Sequence, residues 1–197
     1  YDIKTYTSEL SLGLDDLYRR ISFLEGEIKA SKVFKVDLFK RYIESVDIDS
    51  VKEGLLSGKT VVDRMPELLG DREQKKYLIV FQNNMELRPT GGFIGSFAIV
   101  HFEKGRMTNI DVQDVYAADG QLKGHVEPPK PIREVLGEAN WYLRDSNWDP
   151  DFPTSAKRIE WFLEKEIDVK VDGVISIDLA VAKELVKITG PVTLTDF

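Results

Sequence analysis

The change of texture at Lys75 constrains this chain more than any other feature. Before it, apolar residues recur at helical spacing; after it they come in short runs bounded by turn residues. Tyr77-Leu78-Ile79-Val80-Phe81 is uninterrupted by polar side chains, as expected of a strand buried on both faces. A second strand is expected over 94–102 and a third over 107–115, where Ile110 and Val112 alternate with Asn109, Asp111 and Gln113. The Glu103-Lys104-Gly105-Arg106 turn between them reads as a hairpin. Residues 116–152 are rich in proline and loop-like, with a short helix near 131–138. A helix opened by Thr154 or Ser155 runs to Glu166, with Ile159, Phe162 and Leu163 on one face. A strand over 171–177, a helix over 179–188 and a strand starting at 192–194 follow. Strand, helix and strand at this spacing predict an α/β domain over 75–197, a mixed sheet between helices. The domain is expected to be incomplete at its C-terminal end.

Residues 1–72 read as a helical region. Leu10, Leu14, Leu17, Ile21, Leu24 and Ile28 are spaced 4, 3, 4, 3, 4, a heptad seam on a helix over 7–30. Such a seam packs either on its own domain or on another molecule, as a stalk or self-association surface. A second helix is expected over 33–46. Asp49 or Ser50 can cap a third over 51–57, and a fourth over 59–69 is interrupted by Pro66. No catalytic constellation is visible in this region.

Composition closes several routes. The net charge of -7 argues against a nucleic-acid partner, which favours a basic surface. The absence of cysteine removes disulfides, thiol catalysis and zinc–thiolate sites. With two histidines, His101 and His125, a histidine-rich metal site is excluded as well. No apolar run approaches the roughly 20 residues that span a bilayer, so membrane attachment is expected only through a segment outside this chain.

Three segments carry a resemblance. They are Gln82-Asn-Asn-Met-Glu-Leu-Arg-Pro-Thr-Gly-Gly-Phe-Ile-Gly-Ser96, Arg144-Asp-Ser-Asn-Trp-Asp-Pro-Asp-Phe-Pro-Thr-Ser155, and Val171-Asp-Gly-Val-Ile-Ser-Ile-Asp178 followed by Thr189-Gly-Pro-Val192. In this order they resemble the domain-of-unknown-function family 4012. That resemblance implies a bacterial, extracytoplasmic, cell-envelope protein, membrane-anchored in its full-length form. The third segment is also similar, more weakly, to the LytR-CpsA-Psr phosphotransferases, which move a glycopolymer from a polyprenyl pyrophosphate carrier to the cell wall. This second resemblance implies a lipid-holding cavity, arginines on a pyrophosphate and acidic residues on magnesium. The chain departs from that pattern: Arg88 is followed by Pro89 and Thr90 rather than an aspartate, and Asp114 is preceded by Gln113 rather than an arginine.

Pyrophosphate transfer is a problem of positioning and charge neutralisation. It calls for carboxylates on a divalent cation and arginines that reach oxygens bidentately. Arg88, Arg144 and Asp114 are the candidate catalytic residues. Asp114, Asp149 and Asp151 are the candidate magnesium ligands, with Asp119 and Asp145 as further acids. Thr90, Gly91, Gly92, Asn147 and Ser155 are candidate ligand-binding positions, since a glycine pair permits φ > 0 and close backbone approach. Each has a structural alternative. Arg88 can pair with a carboxylate, Arg144 with one such as Asp149, and Asp149 or Asp151 can cap the helix near Thr154. Asn147 and Ser146 can build a turn, and Trp141, Trp148, Phe152 and Trp161 can be packing rather than a sugar platform. Asp178 can cap the helix after it.

Two functions follow. One is a phosphotransferase-like domain that acts on or binds polyprenyl-(pyro)phosphate-linked glycans. The other is a non-catalytic envelope scaffold, sensor or module that binds a glycan or partner.

Overall fold

The computed structural model describes residues 2–31 and 47–190. They fall into two compact units: residues 1–74 with the turn 103–106, and the remainder of the chain from Lys75.

In the first unit, α1 spans Ile3–Ala30. It begins earlier than its leucine seam because Asp2 caps it, accepting from the backbone N–H of Lys4 and the hydroxyl of Thr5. The next described helix, α2, is a single element over Ile48–Leu68 rather than two shorter ones. Asp47, not Asp49 or Ser50, is its cap, with Oδ1 3.0 Å from Ser50 N. Ser57 and Gly58 do not break it: a mid-helix glycine costs only about 1 kcal/mol, and α2 is packed along α1. The pair is antiparallel, since Lys52 Nζ meets Glu25 and Lys59 Nζ meets Ser11. The most buried positions of α1 are the small residues Thr7 and Ser11, one strip round from the seam. Leu10, Leu17 and Leu24 stay 53, 46 and 57% exposed. The helix expected over 33–46 lies outside the described residues.

In the second unit a four-stranded mixed sheet is ordered β3-β2-β1-β4. Its strands are β1 (Lys75–Asn83), β2 (Phe93–Glu103), β3 (Arg106–Asp114) and β4 (Gly173–Asp178). β1 pairs antiparallel with β2 and parallel with β4, so β4 is reached by a long crossover. Lys104 and Gly105, both at positive φ, make the two-residue β2–β3 turn, the geometry that matches strand twist. The fold is thus α/β with a preceding helical region. Leu78, Val80, Phe97 and Ile99 form one core with Ile159, Phe162 and Leu163 of α4 (Phe152–Ile167). Val115 and Ala118 of the short helix α3 (Val115–Asp119) close it. Each such large apolar side chain contributes about 1.5–3 kcal/mol by burial. The helix expected near 131–138 is a single π-type turn over Ile132–Leu136. α5 (Leu179–Thr189) is capped by Asp178, packs on β1 and β4, and has no buried residue. The strand expected at 192–194 lies outside the described residues.

The register shifts between Phe81 and Gln82, a β-bulge, and Gln82 becomes buried opposite Ile94 and Asp178. That irregularity brings the polar end of β1 beneath the loops discussed next.

Candidate functional site

The loop after β1 and the segment before α4 are stitched together by backbone and amide groups. Asn147 is buried and its Nδ2 donates to Gly92 O at 2.7 Å. The Thr90 hydroxyl donates to Asn147 O at 3.4 Å and accepts from Gln82 Nε2 at 3.1 Å. Ser176 of β4 donates to Gln82 Oε1 at 2.6 Å, which extends the seam across the sheet. Gly91 and Gly92 have φ of +128 and +143°. A Cβ on Gly92 would stand 2.3 Å from Asn83 O, and one on Gly91 2.7 Å from Gln82 Oε1. The close approach these glycines permit is therefore to β1 itself. Thr90, Gly91, Gly92 and Asn147 come together, as parts of one seam.

Beneath it lies an ionic knot. Arg88 Nε and Nη2 both donate to Asp145 Oδ1, at 3.0 and 2.9 Å. Arg144 Nε lies 3.5 Å from the other oxygen of Asp145. Its Nη1 donates to Asp119 at 2.7 Å and its Nη2 to Glu138 at 2.9 Å. The two candidate arginines, 88 and 144, thus meet on one carboxylate that is 4% exposed. Arg144 pairs with Asp119, Glu138 and Asp145 rather than with Asp149. Its guanidinium also lies over the rings of Tyr142, at 4.4 Å, and Tyr116, at 5.5 Å. Burial works against its charge, but the three carboxylates outweigh that and hold it protonated.

Glu166, on the apolar face of α4, completes the knot. Its Oε1 accepts from Leu143 N at 3.1 Å. Its Oε2 and Asp119 Oδ1 are buried without another hydrogen-bond donor among the described residues, and the two carboxyl groups face each other. Burial pushes Glu166 up to about 8, and the Asp119 charge adds to the rise. Burial also pushes Asp119 up, against the pull of Arg144. At neutral pH Glu166 therefore holds a proton, and placing it on Oε2 toward Asp119 satisfies both orphan oxygens. Sequence reasoning does not single out Glu166. Its signal is a carboxylate at helical spacing from Ile159, Phe162 and Leu163, where a core residue belongs.

The remaining candidates are engaged locally. Asp114 caps α3, accepting from Tyr116 N at 2.8 Å. Asp151 caps α4, accepting from Thr154 N at 3.0 Å and from the Thr154 hydroxyl at 2.6 Å. Asp149 accepts from Asp151 N, and the Ser155 hydroxyl donates to Asp149 O at 2.8 Å. Among the described residues no group of three or more His, Cys, Asp and Glu side chains is placed to hold a metal ion. The expected magnesium ligands do not assemble: Asp149 and Asp151 face backbone donors of one turn, and Asp114 serves a different helix. A cavity of about 380 Å³ opens beside Arg144, lined also by Tyr116, Asp119, Glu138, Asn140 and Tyr142.

Fold and site define an α/β domain built around a buried Arg–Asp–Arg bridge, with an aromatic and acidic pocket beside it. The family described as "Protein of unknown function (DUF4012)" matches residues 72–197, more than half of the chain, and the protein belongs to that family. No curated protein and no solved structure matches the chain.

Proposed function

We propose that the second unit is a non-catalytic binding module of the bacterial cell envelope that takes an envelope glycan. The envelope setting rests on the resemblance carried by the Gln82–Ser96 and Arg144–Ser155 segments. No described helix is long and apolar enough to cross a membrane. The observation that carries the binding reading is the double grip of Arg88 and Arg144 on Asp145. A phosphate clamp needs guanidinium donors that turn outward, and these are committed to buried carboxylates. The Arg144 pocket is also lined by Asp119 and Glu138 against a single arginine, a balance that repels a bare phosphate. Tyrosine rings with planar polar groups suit a neutral sugar face instead. The test is co-sedimentation of the chain with purified bacterial cell-wall glycan. Saturable binding without release of any product supports the reading, and absence of binding removes it.

One observation favours the phosphotransferase-like reading. Glu138 is the most exposed acid on Arg144, at 34%, and a phosphate that displaced it would keep the guanidinium paired. Glu138→Gln should then tighten binding of a polyprenyl phosphate about tenfold in calorimetric titration, with or without magnesium. No binding by wild type and variant alike leaves the glycan reading.

A further inference from the structure

The Arg144–Ser155 segment is almost fully accounted for by its own architecture. Arg144 and Asp145 make the ionic knot. Ser146 donates to Leu143 O, and Asn147 holds Gly92. Asp149, Asp151, Thr154 and Ser155 build the start of α4. Trp148 is the exception. It is half-buried, and among the described contacts its indole N–H has no acceptor and its ring no aromatic or cationic partner. The other two tryptophans behave as packing residues. Trp141 donates its N–H to Asp145 O at 2.9 Å and meets the Phe162 ring edge-on at 5.4 Å. Trp161 meets Phe162 at 4.9 Å.

Trp148 lines a cavity of about 330 Å³ with Trp141, Asp149, Arg158, Pro129 and Pro150. That volume is at the low end of the roughly 300–1,000 Å³ of small-molecule pockets. Arg158 differs from Arg88 and Arg144 in the one respect that matters for recognition. Its guanidinium lies over the Trp141 ring, at 4.9 Å, and near Trp161, at 5.8 Å, yet no carboxylate lies within ion-pair distance of it among the described residues. The indole contacts hold the guanidinium at the cavity and leave its N–H groups without an anion among the described residues. Proline walls and an open indole present flat apolar surface, while the donors lie at the rim.

From this geometry we infer that the Trp148–Arg158 pocket seats an anionic sugar residue, its pyranose ring against the Trp148 indole and its carboxylate or phosphate on the Arg158 fork. The chemistry fits each part. The C–H face of a pyranose is apolar and stacks on an indole. A planar carboxylate or phosphate accepts two parallel N–H bonds from a guanidinium. Asp149 Oδ2 and the Trp148 N–H are left for ring hydroxyls. A proline-rich peptide is the rival occupant, since it also packs on tryptophan, but its backbone carbonyls are neutral acceptors and bring no anion to the unpaired arginine.

This inference rests on the glycan-binding reading and adds to the Arg144 pocket a second subsite, for an anionic residue of the same glycan. The probe is a glucuronate-containing tetrasaccharide, with cellotetraose as the neutral control. Oxidation of the full chain by N-bromosuccinimide, read at each tryptophan by peptide mass spectrometry, reports occupancy without any substitution. The glucuronate oligosaccharide should protect Trp148 selectively over Trp161, at concentrations at least tenfold below those at which cellotetraose does. Arg158→Gln, a change at an exposed position, should abolish that tenfold preference. Equal protection by the two sugars, protection by a polyproline peptide alone, or no protection of Trp148 overturns the inference. If cell-wall glycan still co-sediments with the chain while Trp148 stays unprotected, the site is wrong and the module reading stands. If glycan binding is absent altogether, both fall.

Discussion

Both units are laced with ion pairs, but the pairs do different things. On the helix pair most keep at least one partner open to water: Arg20–Asp16 has side-chain exposures of 74 and 53%, and Lys29–Glu25 of 63 and 16%, while Lys52–Glu25, which bridges the helices, is half-buried at 20 and 16%. In the α/β unit, Arg88–Asp145 is exposed by 12 and 4%, and Arg144–Asp119 by 13 and 4%. Water already solvates the surface charges, so their pairing adds little. The buried set has lost its water, so each member depends on the others for its solvation. Surface pairs can be rearranged by evolution or by salt at small cost. The buried knot fixes two loops relative to the sheet, whatever those loops then bind.

The sharpest way to break this contrast is Asp145→Ala. Among the described residues it leaves Arg88 with the Leu87 carbonyl and the Phe93 ring, and it removes one of the carboxylates of Arg144. Stranding a buried charge costs about 3–5 kcal/mol, so urea unfolding should show a loss of that order. The α1–α2 pair should keep its helical circular dichroism under mild conditions. A loss below about 1 kcal/mol means the knot is solvated and the buried–exposed distinction fails.

The second effect is read in pH. Ordinary glutamate titrates at 4.5, whereas Glu166 in the fold is pushed up to about 8 by burial and by Asp119. Between those values the native chain holds a proton that the unfolded chain has released. Raising pH therefore favours unfolding, and the stability present below about pH 4.5 falls away until both states have released the proton near pH 8. The upward push on Asp119 has the same sign. The slope should approach about 1.4 kcal/mol per pH unit at most. Glu166→Gln copies the protonated acid, with an oxygen for Leu143 N and an N–H for Asp119, and should flatten the profile. A variant whose stability still falls with the same slope would assign the pH dependence to another group.

How much of this was legible in the sequence depends on whether the cause is local. The strands were legible from local pattern: the Tyr77–Phe81 run lies in β1, with Leu78 and Val80 fully buried, and the Ile110–Val112 alternation marks β3, although both of those side chains stay exposed, at 50 and 61%. Caps at Asp151 and Asp178 were readable because a carboxylate just before a helix has an obvious donor in the backbone N–H three residues on, here Thr154 and Val181. The length of α2 was not, since Ser57-Gly58 and Pro66 weaken a helix locally while packing on α1 decides its extent. The ionic knot was half legible. Arg88 and Arg144 were visible as charges in loops, but their partners sit 57 and 25 positions away, and only the sheet register and the Gly92–Asn147 seam bring them together. Glu166 was readable in principle as a charge on an apolar helix face, and Trp148 stands out only once its neighbours' duties are known.

The smallest effect sharpens the comparison from the other side. Asp16 and Arg20 form an i, i+4 pair at 2.6 Å on the exposed face of α1. Geometry of this kind looks as good on paper as the Arg88 contact. Removing Asp16 forfeits a pair worth about 0.3–0.5 kcal/mol, but alanine is the better helix former by a comparable amount. Asp16→Ala should therefore change stability by less than about 0.5 kcal/mol, with either sign. Added salt supplies a second readout: at about 1 M the Debye length shrinks to about 3 Å, so whatever remains of the pair should vanish there. The Asp145→Ala deficit should persist, because buried pairs are screened much less. Finding that Asp16→Ala costs as much as Asp145→Ala, or that salt erases both deficits alike, would show that hydrogen-bond length rather than burial sets the worth of these pairs.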